Sequence, residues 1–344
     1  MEVEQLAAAA PPFRSLDVVA PEPGRIVLEQ SAVSPPGPGQ VLVAAEVSAV
    51  SPGTERAWFT RAPDTPGRFP YRPGYCHVGR VVALGPDVKG VSVGDRVLSQ
   101  AHHGSLVRVR AGALWRVPEG LSPELAAFAP LAAISLQGVR KAGIELGASV
   151  AILGAGIIGL FALQFARLQS AAPIYVGEPS AFRRDLARKL GATAALPPDE
   201  LLEPARTAAN TERLDPGFEC VIDATGHPQA FNTSISIAAS GGVIVLLGSP
   251  RGRAHDVNVY EIHRKGLHII GAHARNCPLD ASHRDMWTTR ANTALALTLM
   301  QQGELRVEPL ITDRVAPAEV PALFERLKAG DERLIGCVID WTRQ

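Results

Sequence analysis

Apolar and polar positions follow two rhythms along the chain, and the change between them falls near residue 120. Before it, short β-prone runs at 26–28, 40–43, 79–84, 95–98 and 105–109 are separated by turn residues, including the Pro- and Gly-rich joints 35–39 and 63–67. This pattern predicts an irregular, mostly antiparallel β domain. From about Ser122, long Ala- and Leu-rich helical segments alternate with solid apolar strands at 150–153, 174–176, 220–222, 243–247 and 268–270. Strands that are apolar on both faces and lie between helices belong to a parallel sheet covered on both sides, so this part reads as a doubly wound α/β domain. Beyond it come a helical stretch at 292–302, an apolar run at 309–312, a helix at 318–329 and a last strand at 336–341. Two isolated strands so far past the repeat have no slot in the parallel sheet and are assigned to the first domain. The predicted organisation is a β domain of 1–121 and 276–344 into which an α/β domain, 122–275, is inserted.

The 344 residues exceed the roughly 250 to 300 at which one hydrophobic core stops growing, in agreement with two domains. Lys and Arg number 34, balanced by 34 Asp and Glu, with no block of like charge. That balance lacks the basic footprint needed on a phosphate backbone or an anionic bilayer, so neither nucleic acid nor membrane is an expected partner. No run reaches the roughly 18 apolar residues of a membrane span. The first five residues, Met1-Glu2-Val3-Glu4-Gln5, are acidic where a secretory leader is basic, and the expected location is cytoplasmic. Cys76, Cys220, Cys277 and Cys337 are widely spaced with no C-x-x-C pair, which argues against a disulfide framework and against a clustered metal site.

The most informative local pattern is Val150-Ala151-Ile152-Leu153-Gly154-Ala155-Gly156-Ile157-Ile158-Gly159, an apolar strand running into G-x-G-x-x-G and then a helical pattern over 160–168. In such a unit Gly154 makes the tight turn, Gly156 lets the backbone approach a pyrophosphate, and Gly159 lets the helix pack on the strand. The free N–H groups at the helix start, around Ile157 and Ile158, favour an anion. The next apolar strand ends in Glu178. A carboxylate there accepts hydrogen bonds from both ribose hydroxyls of NAD and repels the extra phosphate of NADP, so NAD is the expected cofactor, ahead of NADP. Arg183 and Arg184 pull the other way, since they could reach a 2′-phosphate, although arginines opening a helix also serve as a solvated face.

The order of motifs resembles the medium-chain dehydrogenase/reductase superfamily, alcohol dehydrogenase-like, over essentially the full length. It is carried by Pro21-Glu22-Pro23-Gly24, Ser51-Pro52-Gly53-Thr54-Glu55, Pro73-Gly74-Tyr75, Gly79-Arg80-Val81-Val82 and Val93-Gly94-Asp95-Arg96-Val97, then by the glycine fingerprint, Asp223-Ala224-Thr225-Gly226, and the stretch from Gly241-Gly242-Val243 to Leu247-Gly248. The resemblance implies a GroES-like β catalytic domain, a Rossmann domain that also uses Thr225 and Gly248 at the cofactor, and a cleft between the two for nicotinamide and a small-molecule substrate. It further implies a homodimer or homotetramer. Zinc-dependent members carry a Cys in the segment that here reads Ser51 to Glu55, a His-Glu pair where this chain has Tyr75-Cys76, and a Glu or Cys in many polyol-type members where this chain has Ala129. The structural-zinc lobe is also missing, because 98–117 contains no cysteine. Zinc takes about four such ligands in tetrahedral array, and no zinc is expected. A substitute set drawn from Cys76, His77, Glu55 and His102 or His103 is disfavoured, since neighbouring strand residues point to opposite faces. In the first domain the wording is similar to the bacteriochlorophyllide dehydrogenase branch.

Hydride transfer at a carbon bearing oxygen needs charge stabilisation on that oxygen and a path for its proton, and the family's zinc supplies the first. Tyr75, at the position of a zinc histidine, could donate to the substrate oxygen or simply fill the space left by metal. Thr54 matches the family's proton-relay hydroxyl and could equally be a turn residue. His102 or His103 could act as acid/base or sit in a surface turn. Glu55 is expected to pair with Arg56, and Cys76 to be a buried small residue. The leading expectation is a zinc-independent, NAD-preferring oxidoreductase acting on a secondary alcohol, such as a polyol, cyclitol or pathway intermediate. An enoyl or quinone reductase delivering hydride to a conjugated C=C is a second reading, disfavoured by Glu178. A catalytically silent nucleotide-binding protein is a third.

Overall fold

A computed structural model describes residues 13–207, 216–281 and 287–343; the acidic N-terminal residues lie outside the described residues. The chain divides into two compact units, 13–130 with 293–343, and 131–292. Both junctions fall later in the chain than the sequence boundaries 121/122 and 275/276. The short helix Pro123–Ala126 stays with the first unit because it packs on that unit's strands.

The first unit opens with an antiparallel hairpin of β1 (Phe13–Glu22) and β2 (Arg25–Val33). The sequence rhythm misses β1 because its inward positions include Ser15 and Asp17, buried polar residues that break the apolar alternation. A larger sheet is built on the long strand β3 (Gln40–Val50). β4 (His77–Leu84) pairs with β3 antiparallel, β5 (Arg96–Ser99) pairs with β4, β6 (Leu106–Arg110) pairs with the 40–44 end of β3, and β7 (Trp115–Arg116) pairs with β5. Between β3 and β4 lies the helix Pro52–Phe59, whose proline occupies the first turn, where a missing N–H costs nothing.

The second unit is a parallel sheet of β8 (Val150–Leu153), β9 (Ile174–Gly177), β10 (Ala194–Leu196), β11 (Phe218–Asp223), β12 (Ala238–Leu246) and β13 (His268–Gly271). Its spatial order is β10-β9-β8-β11-β12-β13, so the winding reverses between β8 and β11. In open α/β sheets that reversal is where the strand ends leave a crevice for a ligand. β8 is buried along its whole length, and the helix Ile157–Leu168 that follows is closed to solvent at nearly every position, as continuous apolar runs require. β14 (Ile311–Val315) and β15 (Gly336–Asp340) then return to the first unit's sheet, where β15 pairs with β3, Cys337 opposite Val50. The core beneath them joins Val18, Val50, Phe59, Phe324 and Ile339, with Phe59 and Phe324 edge to face at 5.5 Å. Among the described residues no helix is long and apolar enough to cross a membrane.

Candidate active site

In the second unit the glycine turn sits at the end of β8, beside the reversal. Gly154 has φ +89°, and a Cβ there would meet Thr225 at 3.2 Å. A Cβ on Gly159 would lie 1.9 Å from the Gly154 carbonyl oxygen, so helix and strand could not keep their approach. Gly156 is different: its missing Cβ faces open space, which leaves room for a bulky anion against the backbone at the start of the helix. Ile157 is buried and Ile158 half-buried. The 225 loop is stiffened by Asp223, whose Oδ1 accepts from both the backbone N–H and the hydroxyl of Thr225, at 2.9 and 2.7 Å. Gly248 packs against it, with no room for a side chain beside Gly226 N. Glu178 is buried, and its carboxylate bridges backbone: Ala155 N–H donates to Oε2 at 2.7 Å and Ser180 N–H to Oε1 at 3.0 Å. This second duty, tying the strand end to the glycine turn, is not visible in the spacing. Arg183 is half-exposed, while Arg184 donates to the Glu178 and Pro179 carbonyls rather than standing as a free cation. The turn thus fits a dinucleotide, with Gly154, Gly156, Ile157, Ile158, Gly159, Glu178, Thr225 and Gly248 as its wall.

In the first unit three segments meet: the end of β3 with the helix start, the lead-in to β4, and the turn before β6. His103 is closed to solvent, with Nδ1 2.8 Å from Ser48 Oγ and Nε2 3.0 Å from Glu55 Oε2. Trp341 Nε1 donates to the same Ser48 Oγ at 2.9 Å. A carboxylate only accepts, so Nε2 donates to Glu55, while Ser48 Oγ accepts from Trp341 and meets Nδ1 on its other side. The other Glu55 oxygen accepts from Ser51 N–H at 2.7 Å. Two expectations are corrected here. Glu55 does not pair with Arg56, because the helix turns Arg56 outward and Glu55 inward. His103 is neither a surface-turn residue nor open to a substrate, because both ring nitrogens are engaged and buried.

Tyr75 is half-buried and its hydroxyl donates to Ser51 Oγ at 2.7 Å. Burial pushes this phenol well above its usual range, opposed by hydrogen bonds with the Ser51 and Thr54 hydroxyls, which groups the three together. His102 turns away toward β1, its Nε2 3.5 Å from Asp17 Oδ1. Asp17 also accepts from Ser15, Ser31 and Arg72. Burial works to raise that carboxyl, but the bonds from His102, Ser15 and Ser31 outweigh it and hold the group well below the ordinary carboxylate range. His102 is therefore a partner in a structural hub, separate from Tyr75. Sequence reasoning overlooked Ser48, Ser51 and Trp341. A serine directly before a helix-opening proline was a usable signal for Ser51, and nothing local marks the other two.

The donors here do not form a zinc site. Glu55 has both oxygens occupied, and the ring nitrogens of His77 lie near Ser99 Oγ and the Gly104 carbonyl. Among the described residues no three His, Cys, Asp or Glu side chains come together as a metal would require.

Residues 37–120 match the alcohol dehydrogenase GroES-like domain, and residues 158–291 match the family described as zinc-binding dehydrogenase. The L-threonine 3-dehydrogenase of Pyrococcus furiosus is 28% identical, with 90% of this chain and 94% of that one covered. The enzyme of the same name from Burkholderia multivorans is 29% identical, with 79% and 83% covered. Among solved structures, a zinc-binding dehydrogenase from Sinorhizobium meliloti bound to NADP superimposes with a TM-score of 0.79 at 24% identity, covering 95% of this chain and 99% of that one. A 2R,3R-butanediol dehydrogenase from Bacillus subtilis gives 0.78 at 20% identity, with 95% and 99% covered. Two domain matches in the right order, relatives aligned nearly end to end and a shared two-unit fold converge: the chain belongs to the alcohol dehydrogenase-like medium-chain dehydrogenase/reductase superfamily and is an NAD(P)-dependent enzyme of that group.

Proposed function

We propose that this enzyme moves hydride between a secondary alcohol and NAD without zinc, as a member of a branch that has lost the metal ligands. The observation that carries the reading is the pairing of Tyr75, where zinc-type relatives have a ligand histidine, with Ser51 in the segment where they carry a ligand cysteine, while the carboxylate of Glu55 is spent on His103 and a backbone N–H. NAD supplies the hydride acceptor when bound; the chain's own residues must hold the oxygen that gains or loses charge. Tyr75, part of whose surface is open while burial holds its phenol protonated, is the donor suited to that task, with Thr54 beside it. Support for a secondary alcohol comes from relatives named for threonine C3 and for butanediol, whose reacting carbons are secondary. A polyol, cyclitol or related intermediate is the substrate class. The buried carboxylate of Glu178 at the end of β9 supports NAD, because a carboxylate at that strand end repels a 2′-phosphate.

The test is a panel of secondary alcohols, including L-threonine and 2,3-butanediol, followed by NADH absorbance in the presence and absence of a chelator. Turnover that survives chelation, falls about 10²- to 10³-fold in Tyr75→Phe, and occurs in protein without stoichiometric zinc is expected. One zinc per chain, removed together with activity, would reverse the reading.

A further inference from the structure

Two hydroxyls bonded to one another share one proton and leave one over. Tyr75 Oη and Ser51 Oγ are 2.7 Å apart. The Ser51 backbone N–H goes to Glu55, its hydroxyl meets Tyr75, and the Thr54 hydroxyl also bonds the phenol. We propose that Ser51 is a positioning residue whose hydroxyl reverses when Tyr75 turns its proton toward a substrate oxygen, so that Ser51 then donates to Tyr75 Oη. The inference rests on the reading above, in which Tyr75 meets that oxygen.

Burial fixes the order of the two groups. Ser51 is closed to solvent, whereas Tyr75 and Thr54 keep part of their surface open, which leaves Tyr75 as the member of the pair within reach of a ligand. The reversal needs no movement of heavy atoms, only a change in which oxygen of the 2.7 Å contact donates. A phenol whose oxygen accepts a hydrogen bond is polarised and becomes a stronger donor itself. Ser51 makes no covalent bond, and the only proton passed toward substrate is that of Tyr75.

Ser51 is also unusually well held. It lies directly after β3 and caps the start of the helix Pro52–Phe59, with Pro52 limiting its backbone on one side. Its N–H is gripped by Glu55, Glu55 by His103, His103 by Ser48 and Ser48 by Trp341, a relay of contacts from the far end of the chain. A surface hydroxyl has no use for such a framework. A hydroxyl that must meet a phenol at hydrogen-bond distance in two alternative directions does.

A fluorinated tyrosine placed at position 75, whose phenol is more acidic than tyrosine's and changes absorbance on ionising, reads this contact without any substrate. Ser51→Ala is expected to raise its titration midpoint by about one to two pH units, the effect of losing one hydrogen bond to a charged oxygen. Ser51→Cys, a weak donor of nearly the same volume, should move it in the same direction and keeps the test open if the alanine variant does not fold. A purely structural Ser51 would alter the melting temperature and leave the midpoint in place, and that result overturns the proposal. On the best alcohol of the panel, Ser51→Ala should lower kcat about tenfold with the KM for NAD unchanged, and add no loss in a Tyr75→Phe background. Full activity in Tyr75→Phe would sink the proposed function, whereas loss in Tyr75→Phe with an unmoved midpoint in Ser51→Ala would sink the role of Ser51 alone.

Discussion

His103 Nε2 lies 3.0 Å from Glu55 Oε2, with the two side chains 0% and 4% exposed. Removing Glu55 leaves two buried donors, the His103 ring and the Ser51 N–H, without their acceptor, at a typical cost of about 1 to 3 kcal/mol each. Glu55→Ala should therefore lower unfolding free energy by about 3 kcal/mol or more in urea titrations. Glu55→Gln should lose less, since its amide oxygen still accepts from His103. A loss under about 1 kcal/mol in the alanine variant would show that the pair is not the clamp described above.

Gly74 makes the same clamp possible from the other side. Its φ is +104°, and a Cβ there would lie 2.7 Å from His103 N and 2.8 Å from two ring carbons. Neither the backbone nor a ring held at both nitrogens can yield cheaply, so Gly74→Ala combines strain of about 1 to 3 kcal/mol with a steric clash. The expected result is a protein less stable by at least that amount, with altered imidazole NMR resonances for His103. Unchanged stability would mean that the turn re-forms around the new methyl.

How legible each part was depends on the range of the forces that set it. The strands β8, β9 and β11 stand where solid apolar runs place them, since burial on both faces leaves no alternation to misread, whereas β12 starts before its run and β13 is an edge strand exposed along most of its length. The glycine turn is equally local: Gly154 and Gly159 are fixed by contacts within one strand-turn-helix unit. The first unit's polar cluster is not local. His103 reaches Ser48 across 55 positions, and Trp341 reaches the same serine across 293. Adjacent Glu55 and Arg56 suggested an ion pair, but one step along a helix sends side chains in different directions, and burial chose Glu55 for the interior. The two histidines 102 and 103 read as equivalent, yet successive positions sent one to Asp17 and the other to Glu55.

Glu178 carries two loads that substitution can separate. It holds the N–H groups of Ala155 and Ser180, and in the proposed complex it reads the ribose. Glu178→Ala should weaken NADH by about 10-fold or more, since hydrogen bonds to a charged acceptor are lost, while narrowing the gap to NADPH. Glu178→Gln keeps an acceptor for one backbone N–H and removes the charge, so it should preserve more of the fold of the turn and still relax discrimination. Fluorescence titration with both reduced cofactors measures this directly. Wild-type protein binding NADPH more tightly than NADH would contradict the assignment of NAD.

His77 gives the chain a stability that depends on pH in a defined direction. Its ring is closed to solvent, 3.4 Å from Ser99 Oγ and 3.3 Å from the Gly104 carbonyl, and burial, together with the neighbouring His102, pulls it down from 6.5 to about 3. Between those values the unfolded chain binds a proton that the folded chain refuses, so acid favours unfolding. The contribution is complete above pH 6.5 and is withdrawn at about 1.4 kcal/mol per pH unit as pH falls toward 3. Asp17, held below the ordinary carboxylate range, loses its contribution only in stronger acid, so it does not confuse the window from pH 7.5 to 5. Across that window His77 should account for about 2 kcal/mol of lost stability. His77→Gln, which keeps hydrogen-bonding capacity but cannot take up the proton, should be less stable at pH 7.5 and should fall less steeply on acidification. Denaturant titrations of both proteins at the two pH values isolate the difference. Equal slopes would mean that this imidazole is protonated in the folded chain or that its surroundings open to admit water.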